Sequence, residues 1–136
     1  MKILVALDDS PFAEKVLQAA VAMAREQAAV VTVLSVAPVL DEIDDMPPGF
    51  NDKLKEAASR VVDRAVSQAM AAGLTATGRV EQGQSPAGCI AGLAAEIGAD
   101  RIVIGHKGKS NLERLLVGSV ALAVVTHAPC SVFVVK

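Results

Sequence analysis

Lys2-Ile3-Leu4-Val5-Ala6-Leu7-Asp8-Asp9-Ser10-Pro11 is a continuous apolar run that ends on two carboxylates and passes into a helix start. The run reads as a buried strand. Ser10 is a good helix N-cap, and Pro11 suits the first helical position because its fixed φ is already helical and its missing N–H would have no partner there. Val16, Leu17, Ala20, Val21 and Ala24 then recur on one helical face, with Glu14, Lys15, Gln18 and Arg25 on the other. A strand feeding directly into an amphipathic helix is the first half of a βαβ unit.

The rest of the chain repeats this alternation. Residues 29–36 form a second strand rich in β-branched side chains. Thr75 to Val80 is a weaker third, interrupted by Gly78, and suits a sheet edge. Arg101-Ile102-Val103-Ile104-Gly105 is the fourth, and Ser131 to Val135 the fifth. Between them, Leu54, Ala57, Ala58, Val61, Val62, Ala65 and Ala69 make a second helical stripe ended by Gly73. Ser85-Pro86 opens a third helix, with Ile90, Leu93, Ala94 and Ile97 inward and Gly98 as C-cap. A fourth runs from about Leu112 to Thr126 and stops before Pro129. Near-continuous apolar strands indicate a sheet covered on both faces, hence a parallel one. The order β-α-β-α-β-α-β-α-β predicts an α/β fold: a single doubly wound, five-stranded parallel sheet with helices on both faces. No second domain, tandem repeat or low-complexity stretch is visible, so residues 1–136 read as one domain. The long connection, residues 37–50, is acidic and turn-rich, and reads as a mobile surface loop.

Composition narrows the function classes. The chain has 136 residues with net charge −2, and 24 Ala and 20 Val make up nearly a third of it, against three Phe and no Trp or Tyr. Small helix-sheet contacts of this kind allow close approach. No apolar run approaches the ~18 residues of a membrane span, and the amino-terminal apolar run is too short for a secretory signal, so a cytoplasmic protein is expected. A sequence pI near 5.6 argues against binding led by nucleic-acid phosphates, and the lack of aromatics argues against a base-stacking platform. Cys89 and Cys130 are too few and too far apart for a disulfide framework or zinc site, and read as buried thiols. His106 and His127 have no third ligand nearby in sequence, so no metal site is expected.

In open α/β sheets the ligand sits beyond the carboxyl ends of the strands, where the strand order reverses. Three features fall at such ends: Asp8-Asp9-Ser10, the region of Val36-Ala37-Pro38, and Gly105-His106-Lys107-Gly108-Lys109-Ser110-Asn111. A glycine-containing loop lets backbone N–H groups approach an anion, and two lysines add positive potential. Alone, the loop could equally be a solvated turn. Gly118 also has two readings. Inside a helix it costs about 1 kcal/mol against Ala. If the helix instead starts there, its free N–H groups and dipole would hold a phosphate, with the Ser119 hydroxyl as a further donor. No Walker loop is present at the strand-one turn.

The pattern Gly105-x2-Gly108-x9-Gly118-Ser119 resembles the nucleotide-binding motif of the universal stress protein family. The strand ending in Asp8, Gly83 before Ser85-Pro86, and the closing Ala128-Pro129-Cys130-Ser131-Val132-Phe133-Val134-Val135 are similar to other parts of that family, so the resemblance spans essentially the whole chain. It implies the adenine nucleotide α-hydrolase-like sheet and the ATP-binding branch, with ATP as ligand, with or without magnesium. By this resemblance Ala6 and Leu7 line the base pocket, Asp8 meets the ribose hydroxyls, and Val36 meets adenine partly through its backbone. Gly105 lies under the ribose. Gly108, Gly118, Ser119 and the Val120 amide cradle phosphates, with Lys107 and Lys109 placed to neutralise them. Two positions depart from many members: Asn111 and Asp9 stand where glycines are common. Asn tolerates left-handed backbone, and Asp9 reads as a solvated charge at the helix start rather than a magnesium ligand.

The reading that follows is a cytoplasmic ATP-binding protein in which nucleotide occupancy is a signal. Binding would order residues 106–117, with residues 37–50 as a second candidate segment, changing a surface read by an unidentified protein partner. The resemblance also implies a homodimer through the closing strand, which as an exposed edge would invite pairing. Two alternatives stand beside it. One is a slow ATP hydrolase or nucleotidyl-transfer enzyme, for which His106 is the candidate general base. The other is a structural dimer module with no nucleotide. Phe12 and Phe50, the aromatics away from the carboxyl terminus, fall outside the matched motif, so adenine would rest on aliphatic side chains and backbone.

Overall fold

All five expected strands form, in one parallel sheet. The computed structural model describes residues 1–39, 47–107 and 118–136. Along the chain it runs β1 (Lys2–Ala6), α1 (Ala13–Gln27), β2 (Val30–Pro38), α2 (Phe50–Ala71), β3 (Ala76–Gly83), α3 (Pro86–Ile97), β4 (Arg101–Gly105), α4 (Ser119–His127) and β5 (Ser131–Val135). The strand order is β3-β2-β1-β4-β5, and every pairing is parallel. The order reverses between β1 and β4, so their carboxyl ends flank the crevice position of a doubly wound sheet.

The pleat explains the apolar runs. On one face Ile3, Val5, Val31, Val33 and Val103 pack against Val16, Leu17, Ala20, Val21 and Ala24 of α1 and Val62, Ala65 and Ala69 of α2. On the other, Leu4, Leu34, Ile102 and Ile104 pack against Ile90, Leu93 and Ala94 of α3 and Ala121 and Val124 of α4. Central strands are therefore apolar on alternate residues of both faces and read as unbroken runs. β3 differs because it is the edge. Ala76 and Val80 pack toward α2, while Arg79 on the opposite face pairs with Glu96 at 3.0 Å and Glu81 at 3.3 Å. β5 is the other edge, with Phe133 45% exposed.

Two helix starts depart from the sequence reading. α1 begins at Ala13, with Phe12 rather than Ser10 at the N-cap position. Ser10 donates its own N–H to Asp8 Oδ1 (2.9 Å), and its carbonyl accepts from the Ala13 N–H (3.2 Å). The Asp8 carboxylate thus closes a local turn that delays the helix, a habit of Asp side chains after strands. The helix expected from about Leu112 begins at Ser119. Gly118 is extended (φ −61°, ψ 156°) and caps it, so a continuous helix through Gly118 is excluded. The Ser85 N-cap is as expected, its Oγ accepting from the Gly88 N–H at 3.1 Å, and Gly98 ends α3 in the left-handed conformation. β2 and β3 extend beyond the expected ends, to Pro38 and Gly83.

Candidate functional site

The carboxyl ends of β1, β2 and β4 and the start of α4 enclose a crevice of about 670 Å³, within the range of small-molecule sites. Ala6, Leu7, Asp8, Val36, Gly105, Lys107, Gly118, Ser119 and Val120 all line it. Nine residues drawn from four separate parts of the chain are thus brought to one cavity. Gly108 and Lys109 lie outside the described residues, as do Asn111 and most of the 106–117 loop.

At one end, the backbone of β2 is open. The Leu34 carbonyl accepts from the Leu7 N–H at 2.9 Å, which is the last bond between β1 and β2. Residues two apart on a strand point their backbone groups to the same side. The N–H and C=O of Val36 therefore face the track that β1 has left, and offer one donor and one acceptor to a ligand. α2 and α3 wall this end with Leu54, Ala58, Pro86 and Ile90.

At the other end stands the first turn of α4. Gly118 donates to the His106 carbonyl at 2.6 Å, and its own carbonyl accepts from Leu122. The amides of Ser119, Val120 and Ala121 precede the first intrahelical donor and line the crevice. With the helix dipole and Lys107 beside them, they have the chemistry that suits an anion. A Cβ on Gly118 would stand 3.1 Å from the His106 carbonyl oxygen. Gly118 is therefore favoured by the close approach of two backbones, which a side chain could meet only if they shifted by a few tenths of an ångström, a reason invisible in the sequence.

Asp8 sits between the two ends, half-buried. Oδ1 is held by the Ser10 N–H, which orients the carboxylate. His106 also lines the crevice; its backbone N–H donates to the Val135 carbonyl at 2.9 Å, and its Nδ1 lies 3.3 Å from the same oxygen. A carbonyl only accepts, so this contact is a hydrogen bond in the tautomer protonated on Nδ1.

Two sequence expectations need correcting. Phe12, set aside as outside the motif, lines the crevice and meets the His106 ring edge-on at 6.2 Å between centroids. The turn over residues 10–12 carries it there, and no spacing rule for a helix face would have placed it. Cys89 and Cys130 are half-buried rather than buried. Both thiols are pushed above the ordinary value of 9.0, chiefly by burial and then by Glu81 for Cys89 and Asp100 for Cys130, with a backbone hydrogen bond at Ile102 opposing the shift in Cys130. Iodoacetamide at pH 7.5 should label them more slowly than in the urea-unfolded chain, because the thiolate is the nucleophile. Equal rates would contradict this. The stabilisation from these thiols is present below pH 9 and lost as pH rises through the raised values.

A five-stranded all-parallel sheet with helices on both faces, and a crevice where the strand order reverses, defines a doubly wound α/β protein of the type that takes ligands at its strand ends. The family model described as the universal stress protein family matches residues 1–136. The chain belongs to that family. It is 33% identical over 137 residues to a putative universal stress protein of Staphylococcus haemolyticus, covering 98% of this chain and 83% of that one. Among solved structures it is similar to universal stress protein UspA from Lactobacillus plantarum, with TM-score 0.86, 27% identity, and 100% and 97% of the two chains covered. A universal stress protein from Archaeoglobus fulgidus in complex with dAMP matches with TM-score 0.77, 28% identity, and coverage of 100% and 98%.

Proposed function

We propose that this chain is an ATP-binding regulatory protein whose crevice holds the nucleotide lengthwise. The observation that carries this reading is the pairing, in one cavity, of an open Val36 backbone with the free amides at the start of α4. Adenine offers an adjacent donor and acceptor that suit Val36, with Ala6 and Leu7 beneath the ring. Asp8 would accept from the ribose hydroxyls, and Gly105 leaves room below the sugar. Gly118, Ser119 and Val120 would hold phosphate, neutralised by Lys107; Gly108 and Lys109 belong to the same proposal. The dAMP complex of the Archaeoglobus relative supports an adenine nucleotide as the ligand class. A magnesium ion would ride on the phosphates, since it keeps most of its waters and takes one or two carboxylates. Asp8 and Asp9 are the carboxylates of the crevice among the described residues.

Occupancy, rather than turnover, is the proposed output. In the tautomer protonated on Nδ1, the candidate base His106 keeps its Nε2 lone pair free, so a slow hydrolysis through it stands as the second reading. No helix among the described residues is long and apolar enough to cross a membrane, and a cytoplasmic site of action belongs to the proposal. So does a homodimer through β5, supported by its edge position and by the exposed Phe133, Leu122 and Val125.

Calorimetric titration with ATP tests the reading. Saturable binding at micromolar ATP is expected, and no heat of binding below millimolar ATP would overturn it. The protein has no Trp or Tyr, so nucleotide carried through purification would show directly as absorbance at 260 nm.

A further inference from the structure

Ser35 lies on β2 immediately before Val36 and is 3% exposed. It lines the crevice. Its side chain projects to the same face as Val31 and Val33, toward α2, where Leu54, Ala58 and Val61 form an apolar wall. No hydrogen bond to the Ser35 hydroxyl exists among the described residues. Ser85 Oγ accepts from Gly88 and Thr126 Oγ1 donates to the Leu122 carbonyl; the Ser10 hydroxyl, 9% exposed and also at the crevice, is like Ser35 in having no such bond among the described residues. No fully enclosed side-chain polar atom among the described residues lacks a partner. The Ser35 oxygen therefore keeps some open surface, and the crevice is where it opens.

A hydroxyl in an apolar wall contributes nothing to folding unless it is bonded; burying it without a partner is unfavourable. Alanine or valine would pack better against Leu54 and Val61 if the wall were only structural. Among the described residues the hydroxyl has no partner, and a ligand entering the crevice beside the open N–H and C=O of Val36 can supply one.

We infer that Ser35 is a specificity-determining residue that hydrogen-bonds a polar atom of the nucleobase, adding a third polar contact to the two offered by the Val36 backbone. This rests on the nucleotide reading above and deepens it. Covering the base end with a ligand would seal the hydroxyl from water. A base atom that cannot bond it would then leave it unpartnered, and this is the physical basis of rejection in a pocket built for a polar contact. Ser35 acts at the base end, beside Val36 on β2, and not through the amides of α4.

The test compares wild type, Ser35→Ala and Ser35→Thr by calorimetry with ATP and with inorganic tripolyphosphate, and by thermal melting without ligand. For Ser35→Ala we expect ATP affinity to fall about 5- to 30-fold, the span of one lost hydrogen bond of about 1–2 kcal/mol. Tripolyphosphate affinity should be unchanged, and the free protein should melt at the same temperature or higher. Ser35→Thr, which keeps the hydroxyl, should retain more ATP affinity than Ser35→Ala. Equal ATP affinity in wild type and Ser35→Ala would overturn the inference while leaving the nucleotide reading intact. A lower melting temperature with parallel loss for ATP and tripolyphosphate would show a structural hydroxyl, and would also overturn it. Absence of ATP binding by wild type would overturn both.

Discussion

Gly118→Val is expected to weaken ATP binding by about a hundredfold and leave the fold intact. The valine Cβ would sit 3.1 Å from the His106 carbonyl oxygen and 3.7 Å from Lys107 Cα. Both neighbours are backbone, so neither can swing aside. Relief takes a shift of a few tenths of an ångström between the first turn of α4 and His106, lengthening the 2.6 Å bond from the Gly118 N–H to the His106 carbonyl. The Ser119 and Val120 amides move with it. Two hydrogen bonds to a charged phosphate, lost or lengthened, cost about 3 kcal/mol together, or roughly 150-fold in affinity. The fold should tolerate the change because φ at Gly118 is −61°, open to any residue, and the position lies outside both core clusters. Calorimetry and thermal melting on the same sample separate the two effects. Affinity within threefold of wild type would remove Gly118 from the phosphate site.

Gly78→Val should destabilise the free protein by about 3 kcal/mol, the upper end for forced overpacking. A Cβ at Gly78 would stand 2.3 Å from Val62 Cγ1 and 3.2 Å from Val66 Cγ2. Val62 is itself 4% exposed and held within the α1–α2 cluster, so it has nowhere to turn. α2 would have to lift from the edge of the sheet, loosening the Ala58 and Val61 wall of the crevice. Urea unfolding should show the loss. Gly78→Ala combined with Val62→Ala should be more stable than the sum of the two single losses predicts, since each removes the other's strain. Additivity of the pair would place the cost of Gly78 substitution in the backbone instead.

These two glycines mark how far the sequence can be read. Gly78 in a strand pattern reads as an edge or a weak point, and β3 is indeed the edge. The cause lies elsewhere, in a valine sixteen residues earlier that packs straight onto the glycine. Gly118 admitted two readings from sequence, a costly interior glycine or a helix start. Only the extended backbone there, and the approach of the His106 carbonyl, decide for the start. Ser10 shows the converse failure. It has the chemistry of an N-cap, but Asp8 two residues before it captures its N–H, and the competition between two side-chain turns is not visible in composition or period.

What the sequence determined by itself is the fold class and the alternation of elements along the chain; the strand order β3-β2-β1-β4-β5 came from the structure. Continuous apolar strands alternating with amphipathic helices leave a two-faced parallel sheet as the arrangement that buries every stripe, and short right-handed crossovers limit how the strands are ordered. The Ala and Val excess is part of the same statement: helices lined with Ala20, Ala24, Ala65, Ala69 and Ala94 lie close on strands of valine and isoleucine. What only the tertiary structure decided is which groups at the strand ends are left without partners. The Val36 backbone, the amides at the start of α4 and the Ser35 hydroxyl, open among the described residues, each depend on where a neighbouring strand stops or a helix begins. Hydrogen-bond satisfaction is a property of neighbours in space, so the polar contacts of this crevice became readable only once β1 was seen to end at Ala6 and α4 to begin at Ser119.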